Sequence, residues 1–438
     1  MTKQYTVLRD LSRTRTREPF AVAPRSFTLE ALIASQAVPE VEVRTLNKTE
    51  VLDTARDPEV KGIAPVMPIK LIQPTGTEDV TVAAGDAWGI SAVRADVSAF
   101  TGDGVVVSVL DTGIDPGHPA FQGVTLVQKD FTGEGDGDGH GHGTHCAGTI
   151  FGRDVNGTRI GVARGVKKAL IGKVLGTNGG GDSDMLFRGM TWALENRADV
   201  ISMSLGFDFP GFVTQMVQDG VPVPAATSIA LEGYRANLRM FDALMQMIQA
   251  KAAFGQGTVV VAASGNESER TAQKPYEVAV SIPAAAEGII SVGALSRNGN
   301  ALDVAFFSNT FPQVSAPGVD IISARKGGGL ISMNGTSMAT PHVAGVAALW
   351  WDSMRQSETP ASALGITAKL LAAVRSNVFA AGVDPADRGM GIVTARSLRI
   401  KQASDVAGRE LPITGMRAER HRQLNGLYMV FVIFNLGK

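Results

Sequence analysis

Short apolar runs alternate with amphipathic segments through the middle of the chain. Four of these runs, which include several β-branched residues, are Val105–Leu110, Ala169–Leu175, Asp199–Leu205 and Thr258–Ala263. Between them lie stretches with a helical spacing of apolar positions, such as Asp184–Asn196 and Tyr234–Ala253. Continuous apolar strands joined by helical crossovers are typical of a parallel sheet that is covered on both faces. The pattern predicts an α/β fold over residues 81–400, with a functional site at the carboxyl ends of the strands.

The two ends of the chain differ from this pattern. Residues 1–80 contain short strand-like and helical pieces, namely Tyr5–Leu11, Phe27–Gln36, Val41–Leu46, Thr49–Arg56 and Val60–Ile72. Pro74, Thr75 and Gly76 then indicate a linker. Near the other end, Asn425-Gly426 precedes the apolar Leu427–Phe434, which predicts a hairpin. We therefore expect three parts: a small α+β domain (1–80), the α/β domain (81–400) and a C-terminal extension (401–438).

Composition narrows the class of protein. The 438 residues include 41 Lys and Arg against 42 Asp and Glu, and this balance argues against a nucleic-acid binder. One cysteine excludes an internal disulfide or a thiolate metal cluster. No window approaches about 18 apolar residues, so no membrane span and no membrane partner are expected. The first residues lack the core of a signal peptide. We expect a cytoplasmic enzyme, and export by another route stays an open alternative.

Two candidate sites combine a carboxylate with histidines. Asp111 ends the first apolar run, where the plain alternative is a residue that caps a turn. His140, His142 and His145 lie within six residues of one another. They could bind a metal, but the glutamate of the HExxH motif is missing, so a general base at the start of a helix is the favoured interpretation. Cys146, four residues after His142, would share its helix face and is expected beneath the imidazole.

Two further candidates are a serine and an asparagine. Ser337 comes shortly before Pro341, which favours the first turn of a helix, so Ser337 is expected near a helix N-terminus that stabilises negative charge. The alternative is a serine that merely caps the helix. Asn266 follows a predicted strand in a turn, where asparagine usually forms an Asx turn. Each signal is weak alone.

Together, these segments resemble the subtilisin-like serine proteases over residues 84–400. The matching segments stand in the family's order: VLDTGID (109–115), HGTHCAGT (142–149), SLG (204–206), AASGNE (262–267) and GTSMATPHVAG (335–345). The resemblance implies a subtilisin-like three-layer fold, with a mostly parallel sheet between helices. It also implies a serine endopeptidase whose triad follows the order Asp, His, Ser, which Asp111, His142 and Ser337 match.

The resemblance assigns a role to each of these residues. Ser337 would attack the peptide carbonyl, His142 would transfer the proton, and Asp111 would hold the imidazole. Asn266 and the Ser337 N–H would donate hydrogen bonds to the oxyanion. His140, His145 and His342 would then be structural or loop histidines.

Substrate would bind as an extended strand between two backbone segments. The matching segments are Gly179, Gly180 and Gly181 on one side and Ser204, Leu205 and Gly206 on the other. The wall of the primary specificity pocket would be formed by Ala263, Ser264 and Gly265, with Ser281 near its floor. This implies a broad or apolar-leaning preference for protein and peptide substrates.

The sequence also departs from the family. An apolar segment, 207–233, follows Gly206, and we expect it to cover the cleft and narrow the choice of substrate. Several relatives bind calcium through an aspartate at the position of Ala120, so calcium is doubtful here and no cofactor is expected to be required. Asp154 and Asn156 could serve an altered site, and Asp136 and Asp138 are expected in a solvated turn.

Residues 1–80 resemble, more weakly, the propeptide of such proteases. The resemblance implies an intramolecular inhibitor that the protease removes itself, and the alternative is a permanent N-terminal domain. Three other hypotheses stay open: a dedicated processing or regulatory protease with few substrates, a catalytically silent binding protein, and a metal-dependent hydrolase.

Overall fold

The computed structural model describes residues 2–10, 39–79, 85–252, 257–358 and 360–396. The chain divides into a unit of Met1–Leu398 and a unit of Arg399–Lys438. The second unit lies outside the described residues, so the predicted hairpin after Asn425 stays a prediction, as does the predicted helix Phe27–Gln36. In the described part of the chain, none of the helices has both the length and the apolar character that a membrane span requires.

An eight-stranded sheet forms the centre of the molecule. Across the sheet the strands are β16 (Ala301–Val304), β15 (Ile290–Asn298), β14 (Val259–Ala263), β12 (Val200–Met203), β7 (Val106–Asp111), β10 (Lys168–Lys173) and β8 (Thr125–Asp130), and β17 (Val314–Pro317) also pairs with β15. Only the β15–β16 pair is antiparallel among these described strands. The four apolar runs of the sequence lie in this sheet as strands β7, β10, β12 and β14, with the run 199–205 continuing into β13 (Leu205–Phe207).

Helices cover both faces of the sheet. One face carries α3 (His142–Phe151), α7 (Thr336–Arg355) and α8 (Ala363–Ala372), and the other carries α4 (Ser183–Glu195) and α6 (Val223–Ala252). Strand β7 shows why: Val107 and Val109 pack with the first group, whereas Leu110 packs with the second. Since both faces of the central strands β7, β10, β12 and β14 are buried, these strands are mainly apolar. The predicted three-layer α/β fold is confirmed.

The N-terminal residues form a smaller sheet. Strand β1 (Lys3–Arg9) lies between β2 (Glu40–Leu46) and β3 (Val60–Pro65), antiparallel to both, and α1 (Lys48–Ala55) joins β2 to β3. Arg9, the last residue of β1, forms ion pairs with Glu42 in β2 (2.8 Å) and with Asp57 in the turn before β3 (2.7 Å). Strand β3 packs on α6 and strand β2 packs on α4. The domain boundary near residue 80 stays a prediction.

The predicted strand Val60–Ile72 is interrupted. After β3, a separate strand β4 (Pro68–Leu71) enters a groove between β11 (Gly180–Asp182) and β13, antiparallel to both. The predicted linker is wrong in part, because Gly76 begins β5 (Gly76–Asp79), which pairs with β19 (Leu330–Asn334). Backbone polar groups that lie in a groove need partners, and strand pairing supplies them.

The remaining elements are short. They are β6 (Gly85–Asp86), α2 (Trp88–Ala92), β9 (Thr158–Arg159), α5 (Phe209–Gln218), β18 (Ile321–Ala324) and α9 (Pro385–Arg388). The segment 207–233 is helical over most of its length, since it contains α5 and the first residues of α6. Helix α5 packs on α6, and the rings of Phe209 and Tyr234 are 5.9 Å apart. Asp208 directly follows β13. Its backbone N–H donates to the Pro68 carbonyl in β4 (3.3 Å).

Candidate active site

Asp111 and His142 meet where a strand and a helix end. Asp111 is the last residue of β7, and His142 is the first residue of α3. The preceding Gly141 has φ 107°, a left-handed conformation that glycine adopts without strain. The His142 Nδ1 and Asp111 Oδ1 atoms are 2.8 Å apart, and both side chains are buried. Among the described residues, the His142 Nε2 atom has no hydrogen-bond partner.

Asp138 holds the loop that leads into α3. Its Oδ1 accepts from Thr112 Oγ1 (2.9 Å) and from the N–H groups of His140 (3.0 Å) and Gly141 (2.7 Å). Its Oδ2 accepts from the N–H (2.9 Å) and the hydroxyl (2.6 Å) of Thr144. The expectation of a solvated turn is wrong for Asp138, because a buried carboxylate needs such donors. Sequence reasoning missed this role, although the alternating glycines 133–143 indicate a tightly folded loop.

Ser337 lies in the first turn of α7. The helix begins at Thr336, so the expectation that Pro341 occupies the first turn is wrong: Pro341 lies in the second. Proline has no N–H, and the carbonyl four residues earlier, that of Ser337, loses its helical donor. The hydroxyl of Ser204 (3.2 Å) and the thiol of Cys146 (3.4 Å) donate to this carbonyl instead. Two side chains from other elements thus hold the Ser337 backbone.

The Asn266 side chain has a fixed orientation. Its Oδ1 accepts from the N–H (2.9 Å) and the hydroxyl (2.8 Å) of Thr336, so its Nδ2 points into the groove. There the Nδ2 donates to the Gln73 carbonyl (2.8 Å). The buried Asn309 holds the same loop, since its Oδ1 accepts from the N–H groups of Glu267 and Ser268. The structure therefore presents Asn266 as a donor to a carbonyl oxygen.

The predicted substrate-binding segments flank strand β4. Gly180 and Gly181 pair with Lys70 and Ile69 on one side, and the Leu71 N–H donates to the Gly179 carbonyl (2.7 Å). On the other side Leu205, Gly206 and Phe207 pair with Leu71, Lys70 and Ile69. The bound segment continues from β4 to Ile72. The Ser337 hydroxyl donates to the Ile72 carbonyl oxygen (3.0 Å). An extended peptide segment therefore passes directly beside Ser337.

The predicted specificity pocket lies beside Ile72. A Cβ atom added at Gly206 would be 3.2 Å from the Ser281 hydroxyl and 3.7 Å from Ile72 Cγ1. The Ser281 N–H donates to the Ser264 carbonyl, which places these two predicted pocket residues side by side. Ala263 ends β14 and is buried, and Gly265 has φ 116°. Two small residues, Gly206 and Ser281, therefore lie near the Ile72 side chain.

The pKa values of His142 and Cys146 are both shifted by their surroundings. Burial opposes a charge on this imidazole, but the Asp111 carboxylate, 2.8 Å from Nδ1, outweighs it, so the pKa of His142 is raised well above 6.5. Cys146 Sγ is 3.7 Å from His142 Nδ1. Burial raises the pKa of this thiol, which keeps it protonated. These two residues lie on one face of α3, as expected from their spacing.

The other histidines of the motifs make structural contacts. The His145 Nε2 atom is 2.9 Å from the Ile321 carbonyl, and the His342 Nδ1 atom is 2.8 Å from the Met338 carbonyl. Burial lowers the pKa of His145 to about 3 and that of His342 to about 4, so both stay neutral. His140 is exposed, and its ring centroid is 6.3 Å from that of His142.

One cluster of side chains has the residue types that bind metals. In the described part of the chain, ligand atoms of Asp111, His142 and Cys146 lie within 4.8 Å of one another. A metal would need the thiolate of Cys146, which burial disfavours.

The calcium position of the relatives fits a cation poorly here. Ala120 is buried and offers no side-chain oxygen. The Arg153 guanidinium donates to the backbone carbonyls of Phe151 (3.1 Å), Val166 (2.8 Å) and Arg164. Asp154 forms an ion pair with Arg164 (3.4 Å). A calcium ion takes six to eight oxygen ligands, and Ala120 removes one side-chain ligand while the Asp154 carboxylate pairs with a cation of the chain itself, so the residues present fit calcium poorly.

Comparison with known proteins agrees with this geometry. A model of the subtilase family matches residues 102–389. The chain belongs to the subtilase family. It is 34% identical to M-protease of Shouchella clausii, over 71% of this chain and 72% of that protein. It is 35% identical to Subtilisin Savinase of Lederbergia lenta (60% and 82%) and 32% identical to the major intracellular serine protease of Bacillus subtilis (60% and 73%). The chain is therefore a serine protease of this subtilase family.

Proposed function

We propose that Asp111, His142 and Ser337 form the catalytic triad of this endopeptidase, with Asn266 as the oxyanion donor. The observation that carries the proposal is the peptide segment in the groove. This segment, strand β4, pairs with β11 on one side and with β13 on the other. The Ile72 carbonyl oxygen that follows it is 3.0 Å from the Ser337 hydroxyl. A groove that binds an extended chain beside a serine supports peptide-bond hydrolysis through an acyl-enzyme.

The proton path follows from the two nitrogens of His142. Its Nδ1 is engaged by Asp111, so Nε2 is the nitrogen that accepts the proton of Ser337 and later donates it to the leaving amine. Asp111 holds the ring orientation and stabilises the imidazolium. In a productively bound substrate, Asn266 Nδ2 donates to the oxygen that becomes negative, because Thr336 fixes the amide with its nitrogen towards the groove, where it donates to the Gln73 carbonyl of the bound segment.

The specificity is broad or apolar-leaning at the residue whose carbonyl is attacked. Ile72 occupies this position in the groove, and its side chain is almost fully buried (2% exposed). Gly206 packs closely beside this side chain, since a Cβ atom at Gly206 would lie 3.7 Å from Ile72 Cγ1, and the Ser281 hydroxyl and the Ile282 carbonyl are the polar groups near the same point. Branched and medium apolar residues are accordingly the expected side chains.

The N-terminal region acts as an intramolecular inhibitor in this proposal. Strand β4 occupies the groove on one side of Ser337, and β5 pairs with β19 on the other side. A substrate strand needs the same backbone donors and acceptors, so both cannot bind at once. The protease itself is expected to remove this region.

The first prediction tests the triad. Ser337→Ala, His142→Ala and Asp111→Asn are each expected to lower kcat by about 10⁴-fold or more, because triad members act as a unit. Peptide hydrolysis and labelling by a serine-reactive phosphonate measure this, and circular dichroism controls for folding. Near wild-type turnover by a folded Ser337→Ala protein would refute the assignment. A wild-type protein that binds peptides but neither cuts them nor takes the label would be a binding protein.

A further inference from the structure

Lys70 occupies a defined position in the groove. It pairs with Gly180 on one side and Gly206 on the other, and it lies two residues before Ile72. Its neighbours Ile69 and Leu71 are buried, whereas its own side chain is 44% exposed. The two residues directly opposite Lys70 have no side chains. Any recognition of the Lys70 side chain must therefore come from another residue.

Asp208 supplies that recognition. Its Oδ1 is 2.9 Å from the Lys70 Nζ, and its own side chain is 28% exposed. It follows β13 directly, so the strand that binds the peptide backbone also places this carboxylate. The Asp208 N–H donates to the Pro68 carbonyl (3.3 Å), which extends the backbone pairing by one more bond.

The Asp208 carboxylate is held independently of Lys70. Its Oδ1 accepts from the Gly211 N–H (3.1 Å), because Asp208 caps the N-terminus of α5. A Cβ atom at Gly211 would lie 2.1 Å from Asp208 Oδ2, so the glycine leaves room for this arrangement. A charge that is positioned before the ligand arrives costs less to organise on binding. The segment 207–233 thus contributes to the groove through its first polar residue.

We propose that Asp208 makes the protease favour substrates with Lys or Arg at the position of Lys70, two residues before the attacked carbonyl. This inference rests on the proposed function, since it assigns a substrate preference to the same groove. It differs from a purely structural role, in which the Lys70–Asp208 pair would only fasten the N-terminal region. A structural pair would have no effect on peptides added from outside.

The first experiment measures kcat/KM for fluorogenic peptides with the sequence Pro-Ile-X-Leu-Ile before the leaving group. X is Lys, norleucine or Glu, and the enzyme is the wild-type chain as purified. Because the ion pair is partly exposed, Lys should exceed norleucine by about 2- to 5-fold. Like charges repel, so Lys should exceed Glu by about 10-fold. The preference should shrink in about 1 M salt, where the Debye length is about 3 Å.

Two variants make the assignment specific. Asp208→Asn keeps a side chain that caps helices well, so α5 is retained while the charge is lost. The three peptides should then be cleaved at similar rates. Asp208→Lys should reverse the order and favour Glu. Equal cleavage of the three peptides by the wild-type chain, or an unchanged preference in Asp208→Asn, would overturn the proposal while leaving the proposed protease function intact.

A second experiment does not depend on catalysis. In the full chain carrying Ser337→Ala, hydrogen exchange is measured at the Leu71 amide, which donates to Gly179. Lys70→Met and Asp208→Asn should each speed exchange by about 2- to 5-fold, and the double variant should be no faster than either single one. No effect of either change would overturn the recognition. If the wild-type chain cuts no peptide and takes no phosphonate label, the proposed function fails, and coupling in this experiment still supports recognition of a basic side chain.

Discussion

At the scale of single residues, the site depends on side chains that never meet a substrate. Thr336 sets the orientation of the Asn266 amide by donating twice to its oxygen. Asp138 connects Thr112, next to Asp111, with Thr144 in α3. Both act through hydrogen bonds whose loss leaves a buried polar group without a partner, at a cost of about 1–3 kcal/mol. The positions of the Asn266 amide and of the loops that carry Asp111 and His142 thus depend on residues that contact them rather than the substrate.

The pH dependence of the reaction should reflect the raised pKa of His142. The imidazole must be neutral to accept the proton of Ser337, so activity appears as pH rises through this pKa. Since Asp111 raises the pKa of His142 well above 6.5, the acidic limb of the kcat/KM profile should have its midpoint above pH 6.5. Asp111→Asn should move the midpoint of the residual activity to lower pH. A wild-type midpoint at or below 6.5 would contradict the prediction.

Cys146 gives a second prediction at this scale. Its Sγ is 3.7 Å from His142 Nδ1 and 3.4 Å from the Ser337 carbonyl oxygen. A small mercurial that binds Sγ should displace the imidazole and abolish activity, slowly, because burial keeps the thiol protonated. Cys146→Ala should stay active, since Ser204 still donates to the Ser337 carbonyl. Equal sensitivity of both proteins to the mercurial would refute this placement.

At the scale of elements, helix α7 shows what a sequence pattern can and cannot predict. Its apolar run and its position after Gly335 indicate a helix, and Ser337 does lie in the first turn. The start of the helix was misjudged because proline was expected only in a first turn. A proline in the second turn is tolerated here since two distant side chains, Ser204 and Cys146, satisfy the freed carbonyl. Such compensation is tertiary, so local spacing does not reveal it.

The loop after α3 carries a prediction about metals. Ala120 stands where the calcium-binding relatives have an aspartate, and Arg153 holds the nearby backbone through the carbonyls of Phe151, Arg164 and Val166. A chelator should therefore leave the Tm unchanged. Arg153→Met should destabilise the protein by about 1 kcal/mol or more, because the carbonyls of Phe151 and Val166, in part-buried contacts, lose a charged donor. Arg164→Met, which breaks only the exposed pair with Asp154, is the matched control and should change stability by less than about 0.5 kcal/mol. A Tm that falls in chelator and recovers with calcium would contradict this.

At the scale of the whole molecule, the sequence predicts the fold better than it predicts the occupied groove. The apolar runs fix the central sheet because they must be buried on both faces, as Val107 and Leu110 illustrate. The separation of β4 from β3 was missed although Pro65 and Pro68, which lie at the break, are a sequence signal for an interrupted strand. The pairing with Gly180 and Gly206 on remote segments makes β4 a distinct strand. A further contact binds the expected linker, because the Thr75 N–H donates to the Asn334 carbonyl. This contact also joins segments that are remote in the sequence.

The bound segment lies out of register for its own hydrolysis. The Ser337 hydroxyl faces the Ile72 carbonyl oxygen, whereas Asn266 Nδ2 donates to the next carbonyl, that of Gln73. Attack requires one carbonyl to present its carbon to the serine and its oxygen to the oxyanion donor. The segment must therefore shift before it can be cut, and self-cleavage should be slower than cleavage of a peptide added from outside.

We accordingly expect the wild-type chain to mature slowly by cleavage between about residues 70 and 86, while Ser337→Ala stays at 45.9 kDa. Mass spectrometry of both proteins during incubation measures this, and the new N-terminus identifies the bond. Gln73 as the first residue is expected, because the Ile72 carbonyl is the one attacked, whereas Pro74 as the first residue would contradict the assignment of Ile72 to this position. Activity should rise in step with the loss of the N-terminal fragment, because the fragment's strand β4 occupies the groove that substrates need. A fully active wild-type protein that keeps Met1–Lys438 uncut would show that this region is a permanent domain.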